Sequence, residues 1–74
     1  MAAMNLQDYI LNHLRKGKIS CTLHLTNGFQ MKNVLIYAFD NFSILIIGEG
    51  GKQMLVYKHA ISSITPSMAV PMDN

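Results

Sequence analysis

Tryptophan is absent from this 74-residue chain, cysteine occurs once, proline twice, and aspartate and glutamate together supply only four residues. The single Cys21 excludes an intramolecular disulfide, and no cysteines and histidines stand at the spacing of a structural zinc site. Carboxylates occur only at Asp8, Asp40, Glu49 and Asp73, unpaired by spacing, and His13, His24 and His59 are scattered. The paired acids, nucleophile with base, or metal cluster that an enzyme needs are therefore missing, and no catalysis, metal or cofactor is expected. Apolar runs fall well short of the roughly 20 residues that cross a bilayer. The amino terminus lacks the basic segment, apolar core and cleavage site of a secretory leader. No membrane partner and a cytoplasmic, reducing location are expected.

What is present is apolar: 50% of the residues are hydrophobic and 14% are charged. A chain this short holds one domain and leaves more of its surface exposed than a larger domain does when it folds alone. Without disulfide or metal to brace it, self-association is the remaining source of stability. The formal charge of +2 is modest for one copy, but it multiplies when copies are gathered.

The period of the apolar residues changes along the chain. Leu6, Ile10 and Leu14 form an i, i+4, i+8 series, widened by Tyr9 and Leu11, which predicts a helix from Leu6 to Lys16. Asn5 is placed to cap its start, Asp8 favours the positive end, Arg15 and Lys16 favour the carbonyl end, and Gly17 suits a left-handed residue after the last turn. From Ile19 the period is two: Cys21, Leu23 and Leu25 face one way, and Ser20, Thr22, His24 and Thr26 the other. Asn27-Gly28 predicts a type I′ hairpin turn. A second strand runs from Phe29 towards Phe39, and a third covers the apolar residues from Phe42 to Ile47 after Asp40-Asn41. After the Gly48-Glu49-Gly50-Gly51 turn, strands are expected over Lys52 to Tyr57 and Ala60 to Thr65. Connections this short exclude a parallel sheet. The expected fold is mainly β with one α-helix, on a strongly bent five-stranded antiparallel sheet forming an open barrel.

Four blocks carry a resemblance: Asn5-Leu6-Gln7-Asp8, Asn27-Gly28-Phe29-Gln30, Phe39-Asp40-Asn41-Phe42 and Tyr57-Lys58-His59-Ala60-Ile61-Ser62, the last preceded by Gly51-Lys52-Gln53. In order and spacing, from about Asn5 to Pro66, the chain resembles the bacterial Hfq family of RNA chaperones. The resemblance implies an Sm-like domain over residues 1–66, closed into a homohexameric ring by pairing of the fourth and fifth strands of neighbours. It implies single-stranded RNA as partner, both small regulatory RNAs and mRNAs, with other RNA-processing proteins as possible further partners.

By the same resemblance, uridine-rich RNA is expected around the pore on the proximal, helix-bearing face, at Gln7, Asn41, Phe42, Tyr57, Lys58 and His59. Phe42 offers a ring for stacking, Lys58 a donor to a carbonyl or phosphate, His59 a donor to phosphate or ribose, and Gln7 an amide for a base edge. Adenine-rich RNA is expected on the distal face at His24, Gly28, Phe29, Gln30, Met31 and Ser63. His24 stands where an aromatic residue is frequent, and a protonatable ring there would make adenine binding depend on pH. Met54 stands where some relatives carry an adenine-reading glutamine, which favours a looser purine-plus-linker mode. A rim of Arg15, Lys16 and Lys18 is expected to touch RNA laterally. It carries one arginine, and lysine lacks the bidentate fork that suits phosphate, so annealing of two strands should be weak.

The stretches from Lys32 to Phe39 and from Phe42 to Lys52 each look about one residue longer than is usual for the family, and a bulge or longer turn is expected to absorb each. Residues 67–74 are expected to form a short disordered tail. The rival reading is an Sm-like ring that is structural or binds proteins, with little or no RNA contact; salt-dependent RNA binding that fails without Lys58 separates the two.

Overall fold

The structure is a computed structural model and describes residues 6–71; the expected cap at Asn5 and the last three residues lie outside them. One helix, α1 (Leu6–Gly17), precedes five strands: β1 (Cys21–Leu25), β2 (Gln30–Phe39), β3 (Ser43–Ile47), β4 (Gln53–Tyr57) and β5 (Ile61–Pro66). All neighbours are antiparallel, in the order β4-β3-β2-β1-β5. The long β2 takes part in both halves of the sheet, pairing β1 with its first part and β3 with its second. Its bulges bend the sheet between those halves, and β4 and β5 are left as edges.

The core is built as the two-residue period requires. Cys21 and Leu23 from β1, Val34 and Ile36 from β2, Ile44 and Ile46 from β3, and Val56 from β4 are buried under Leu11 and Leu14 of α1. The helix ridge differs from the expected ladder: Leu6 is 55% exposed, and the buried pair is Leu11 and Leu14, with Ile10 packed at the margin. Leu6 stands at the first turn, beside Ile61 and Ile64 of the edge strand β5.

Two turns differ in kind from expectation. The β1–β2 hairpin exists, but Gly28 N–H donates to the Leu25 carbonyl, 3.0 Å, and Leu25 N–H to the Phe29 carbonyl, 2.8 Å. Among the residues of this turn only Gly28 has a positive φ, +94°. This is a turn centred on Thr26-Asn27 followed by a left-handed glycine, in place of type I′, which needs positive φ at both central residues. Asn27 Oδ1 accepts from Phe29 N–H at 3.0 Å and holds the exit. At the end of α1 the left-handed residue is Lys18, φ +52°, and not Gly17. Lys18 N–H donates to the Arg15 carbonyl and Ile19 N–H to the Leu14 carbonyl, 3.0 Å, a Schellman closure. Gly17 has a different reason to be small: a Cβ there would stand 3.1 Å from Ile19 Cδ1.

The two longer stretches are accommodated by irregularity. In β2 one extra residue stands in the ladder with β1 at Lys32-Asn33, where Asn33 has φ +56°, and another in the ladder with β3 at Tyr37. Gly48 to Lys52 forms a wide turn closed by Gly48 N–H on the Lys52 carbonyl, 2.8 Å, with Gly50 and Gly51 at positive φ. Beyond β5, Val70 packs against the core and the Tyr9 hydroxyl donates to the Pro71 carbonyl at 2.7 Å.

Candidate nucleic-acid interface

At one end of the sheet two turns meet. The β2–β3 turn, Asp40 to Phe42, is set by the Asp40 carboxylate, which accepts from Phe42 N–H and Ser43 N–H, both at 2.8 Å, and from the Ser43 hydroxyl at 2.9 Å. These three bonds, the backbone pair foremost, hold the Asp40 carboxyl below its ordinary range. The turn thereby projects Asn41 and Phe42 into solvent, and the Phe42 ring is 76% exposed. The β4–β5 turn is a single 3-10 turn over Lys58–Ala60. Lys58 N–H donates to the Phe42 carbonyl at 2.8 Å, which ties the two turns together. Tyr57 stands opposite Ser43 in the ladder, and its ring lies parallel to that of His59, centroids 5.9 Å apart.

The Lys58 side chain is held from two sides. Its Nζ lies 3.2 Å from the Asp8 carboxylate in the first turn of α1 and 5.6 Å from the centre of the Phe39 ring, and the side chain is only 10% exposed. Through Asp8 the helix start joins the cluster. Asn41, Phe42, Tyr57, Lys58 and His59 of the expected set thus lie in one neighbourhood, whereas Gln7 lines the groove beside β5 with Ser62 and Ser63. Asp8 and Phe39, which orient the Lys58 cation, were missing from the expected set. Nothing local marks an ion pair between residues 50 positions apart.

The second expected set is aligned by register. His24 of β1 faces Gln30 of β2 on one side and Ser63 of β5 on the other, so three polar side chains form a row across the sheet. The adjoining hairpin carries Gly28 and Phe29, the latter 70% exposed. Met31 is placed differently: it faces Leu23 and packs against the core. Two partners went unread in the sequence: the Thr65 hydroxyl lies 3.1 Å from His24 Nε2, and the Ser62 hydroxyl donates to the His24 carbonyl at 3.0 Å. Ser62 is the extra residue of the β1–β5 ladder, whereas Thr65 lies in its regular part opposite Thr22.

Arg15, Lys16 and Lys18 are exposed together at the end of α1, with Arg15 Nη2 donating to Asn12 Oδ1. Among the described residues no group of three histidine, cysteine or acidic side chains converges to hold a metal, and no helix is long and apolar enough to cross a membrane.

The profile of the family described as Hfq protein matches residues 6–71. An RNA-binding protein Hfq from Brevibacillus brevis is 56% identical over 69 residues, covering 93% of this chain and 85% of the relative. One from Thermoanaerobacter sp. strain X514 is 51% identical over 69 residues, covering 93% and 79%. A crystal structure of the pleiotropic translational regulator Hfq superposes with a TM-score of 0.77 at 39% identity, covering 82% of this chain and 98% of that one. The fold is the Sm-like one of that structure.

Proposed function

This chain belongs to the Hfq family, and on that premise we propose that it is a non-catalytic RNA chaperone. It assembles as a homohexameric ring that binds uridine-rich single strands on the proximal face and adenine-rich strands on the distal face. Holding a small regulatory RNA and an mRNA on one ring raises their effective concentration and favours their pairing.

The observation that carries the reading is the meeting of Phe42 and Lys58: an exposed ring and a positioned ammonium on two turns joined by one backbone hydrogen bond. Single-stranded RNA is bound by such pairs, a flat side chain for the base and a cation for its phosphate or carbonyl. The His24, Gln30 and Ser63 row beside the exposed Phe29 supplies the same chemistry elsewhere: a ring for stacking and polar atoms for base edges.

Ring assembly is supported by the sheet edges. β4 leaves Met54, Leu55 and Tyr57 more than half exposed, and the groove beside β5 is lined by Leu6, Ile10, Ile61 and Ile64. Unpaired apolar edges of opposite ends of one sheet suit head-to-tail pairing, which closes into a ring. Six copies carry about +12 formal charge.

Light scattering tests the assembly and a salt series tests the ligand. The reading predicts one species of six times the chain mass, binding labelled oligo-uridine less tightly as salt rises. A ring of that mass that binds no RNA at low salt would replace the reading with that of a structural or protein-binding ring.

A further inference from the structure

Val34 and Ile36 of β2 and Ile44 and Ile46 of β3 point into the core, so Leu35, Leu45 and Ile47 between and beside them point out of the opposite face of the sheet. On that face Leu35 stands against Ile47 and Ala38 against Leu45, and the ladder passes over Tyr37. A bulge of this kind re-aims the side chain it carries, and the Tyr37 ring is 56% exposed beside Leu35 and Ile47. A sheet face that meets only water carries mostly polar residues. From Leu35 to Phe39 and along β3, the hydroxyl groups of Tyr37 and Ser43 are the only polar side-chain groups.

This apolar strip carries opposite charge at its two ends. Arg15 and Lys18, both exposed at the end of α1, line a groove of about 380 Å³ with Leu35, Tyr37 and Ile47. At the other end Asp40 and Ser43 line a hollow of about 160 Å³ with Ala38 and Leu45. The ends lie roughly 16 Å apart along β2, at about 3.3 Å per residue. Asp40 is exposed and takes its three turn hydrogen bonds on Oδ1, so Oδ2 remains for an outside cation. A strand of RNA running along the strip would meet this carboxylate, and aliphatic side chains in place of groups that read base edges.

A strip of this design is complementary to itself when turned about a two-fold axis through its middle. Each Asp40 then meets the partner's Arg15 and Lys18, and the apolar residues of the two strips cover one another. One strip is small against the roughly 800 Å² that each side of a standard interface buries. Rings with six strips each gain by meeting at several together.

We propose that the strip joins two rings, lying antiparallel on the same strip of a second copy, with Asp40 of one against Arg15 and Lys18 of the other. The proposal rests on the ring reading only for the number of chains in each partner.

The test is light scattering of the full chain, freed of RNA by nuclease, over a concentration series at low salt. The mass should be that of six chains in dilute solution and climb beyond it as the chain is concentrated. Added salt should weaken the climb. Tyr37→Ser should raise the concentration needed by about tenfold or more, the scale of one lost aromatic anchor, with melting temperature and oligo-uridine binding as in the parent. Lys18→Glu sets carboxylate against carboxylate, so it should lose the association at low salt and regain part of it as salt rises. A parent that stays at six chains at every concentration overturns the pairing and leaves the ring standing. A parent that passes from one chain to two supports the strip and overturns the ring. Association of Tyr37→Ser equal to that of the parent overturns the assignment to this strip, and association of Lys18→Glu equal to it at low salt overturns the charge arrangement.

Discussion

Lys58, in the turn between the last two strands, reaches the Asp8 carboxylate in the first turn of the helix at 3.2 Å, with its side chain 10% exposed against 41% for Asp8. The cation at the centre of the proximal cluster is therefore the less solvated partner, and it depends on Asp8 for compensation. Removing the carboxylate strands a desolvated charge, whereas removing the charge with an apolar side chain of similar length strands nothing comparable. Asp8→Ala should cost about 1 kcal/mol or more of stability and Lys58→Met less, by thermal or urea denaturation. Oligo-uridine binding should fail in Lys58→Met even though that variant is the more stable of the two. The reverse order of stability would show that the pair is an ordinary surface contact.

The helix ends on a left-handed lysine. An L-residue in that conformation costs about 1–2 kcal/mol relative to glycine, part of which glycine gives back in the unfolded chain. Lys18→Gly should raise stability by about 0.5–1 kcal/mol. A loss of stability in that variant would mean that the Lys18 side chain makes a contact worth more than the strain.

Asp40 gives the β2–β3 turn a dependence on acid. Its carboxyl is held below the ordinary value of 3.8 by three hydrogen bonds made to the ionised form. A depressed folded value means that the stabilisation is complete above 3.8 and disappears as pH falls through the lowered value. The melting temperatures of the parent and Asp40→Ala should differ by a constant amount from about pH 7 to about pH 5 and converge in stronger acid. A difference that persists undiminished at about pH 2 would show that the turn is held by something other than this carboxylate.

Cys21 is buried among Leu23, Val34 and the helix residues, and burial raises its thiol to about 11. The thiolate is the nucleophile, so a neutral, enclosed thiol should react with iodoacetamide at about pH 8 only when the chain unfolds. Alkylation followed by mass should report the unfolding rate. Rapid labelling of the folded protein would place Cys21 outside the core.

The elements were readable because their periods are local. Cys21 and Leu23 declare a strand face within a few residues, and short connections force antiparallel order; the helix was legible, but its ladder of Leu6, Ile10 and Leu14 gives way to a buried pair of Leu11 and Leu14. What was not readable depends on distant or subtle geometry. Asn27-Gly28 marks a hairpin equally well for two turn types, and only the Leu25 to Phe29 pairing chooses between them. Gly17 looks like a left-handed terminus, but the Schellman closure puts Lys18 there while the Ile19 side chain restricts Gly17. The proximal residues came from the resemblance; Asp8 and Phe39 around Lys58 did not, because their contact is created by the fold. Met31 was expected on the distal face by the resemblance, yet it faces Leu23 and packs against the core.

The most direct test of a two-faced RNA ring is one titration series of labelled oligo-uridine and oligo-adenine against the parent chain, Lys58→Ala and Phe29→Ala. The account predicts that Lys58→Ala loses oligo-uridine and keeps oligo-adenine, and that Phe29→Ala does the opposite, with ring mass unchanged in both. Loss of both strands in either intact ring would contradict separate faces, and retention of both strands in both variants would contradict the assignment of these residues to RNA.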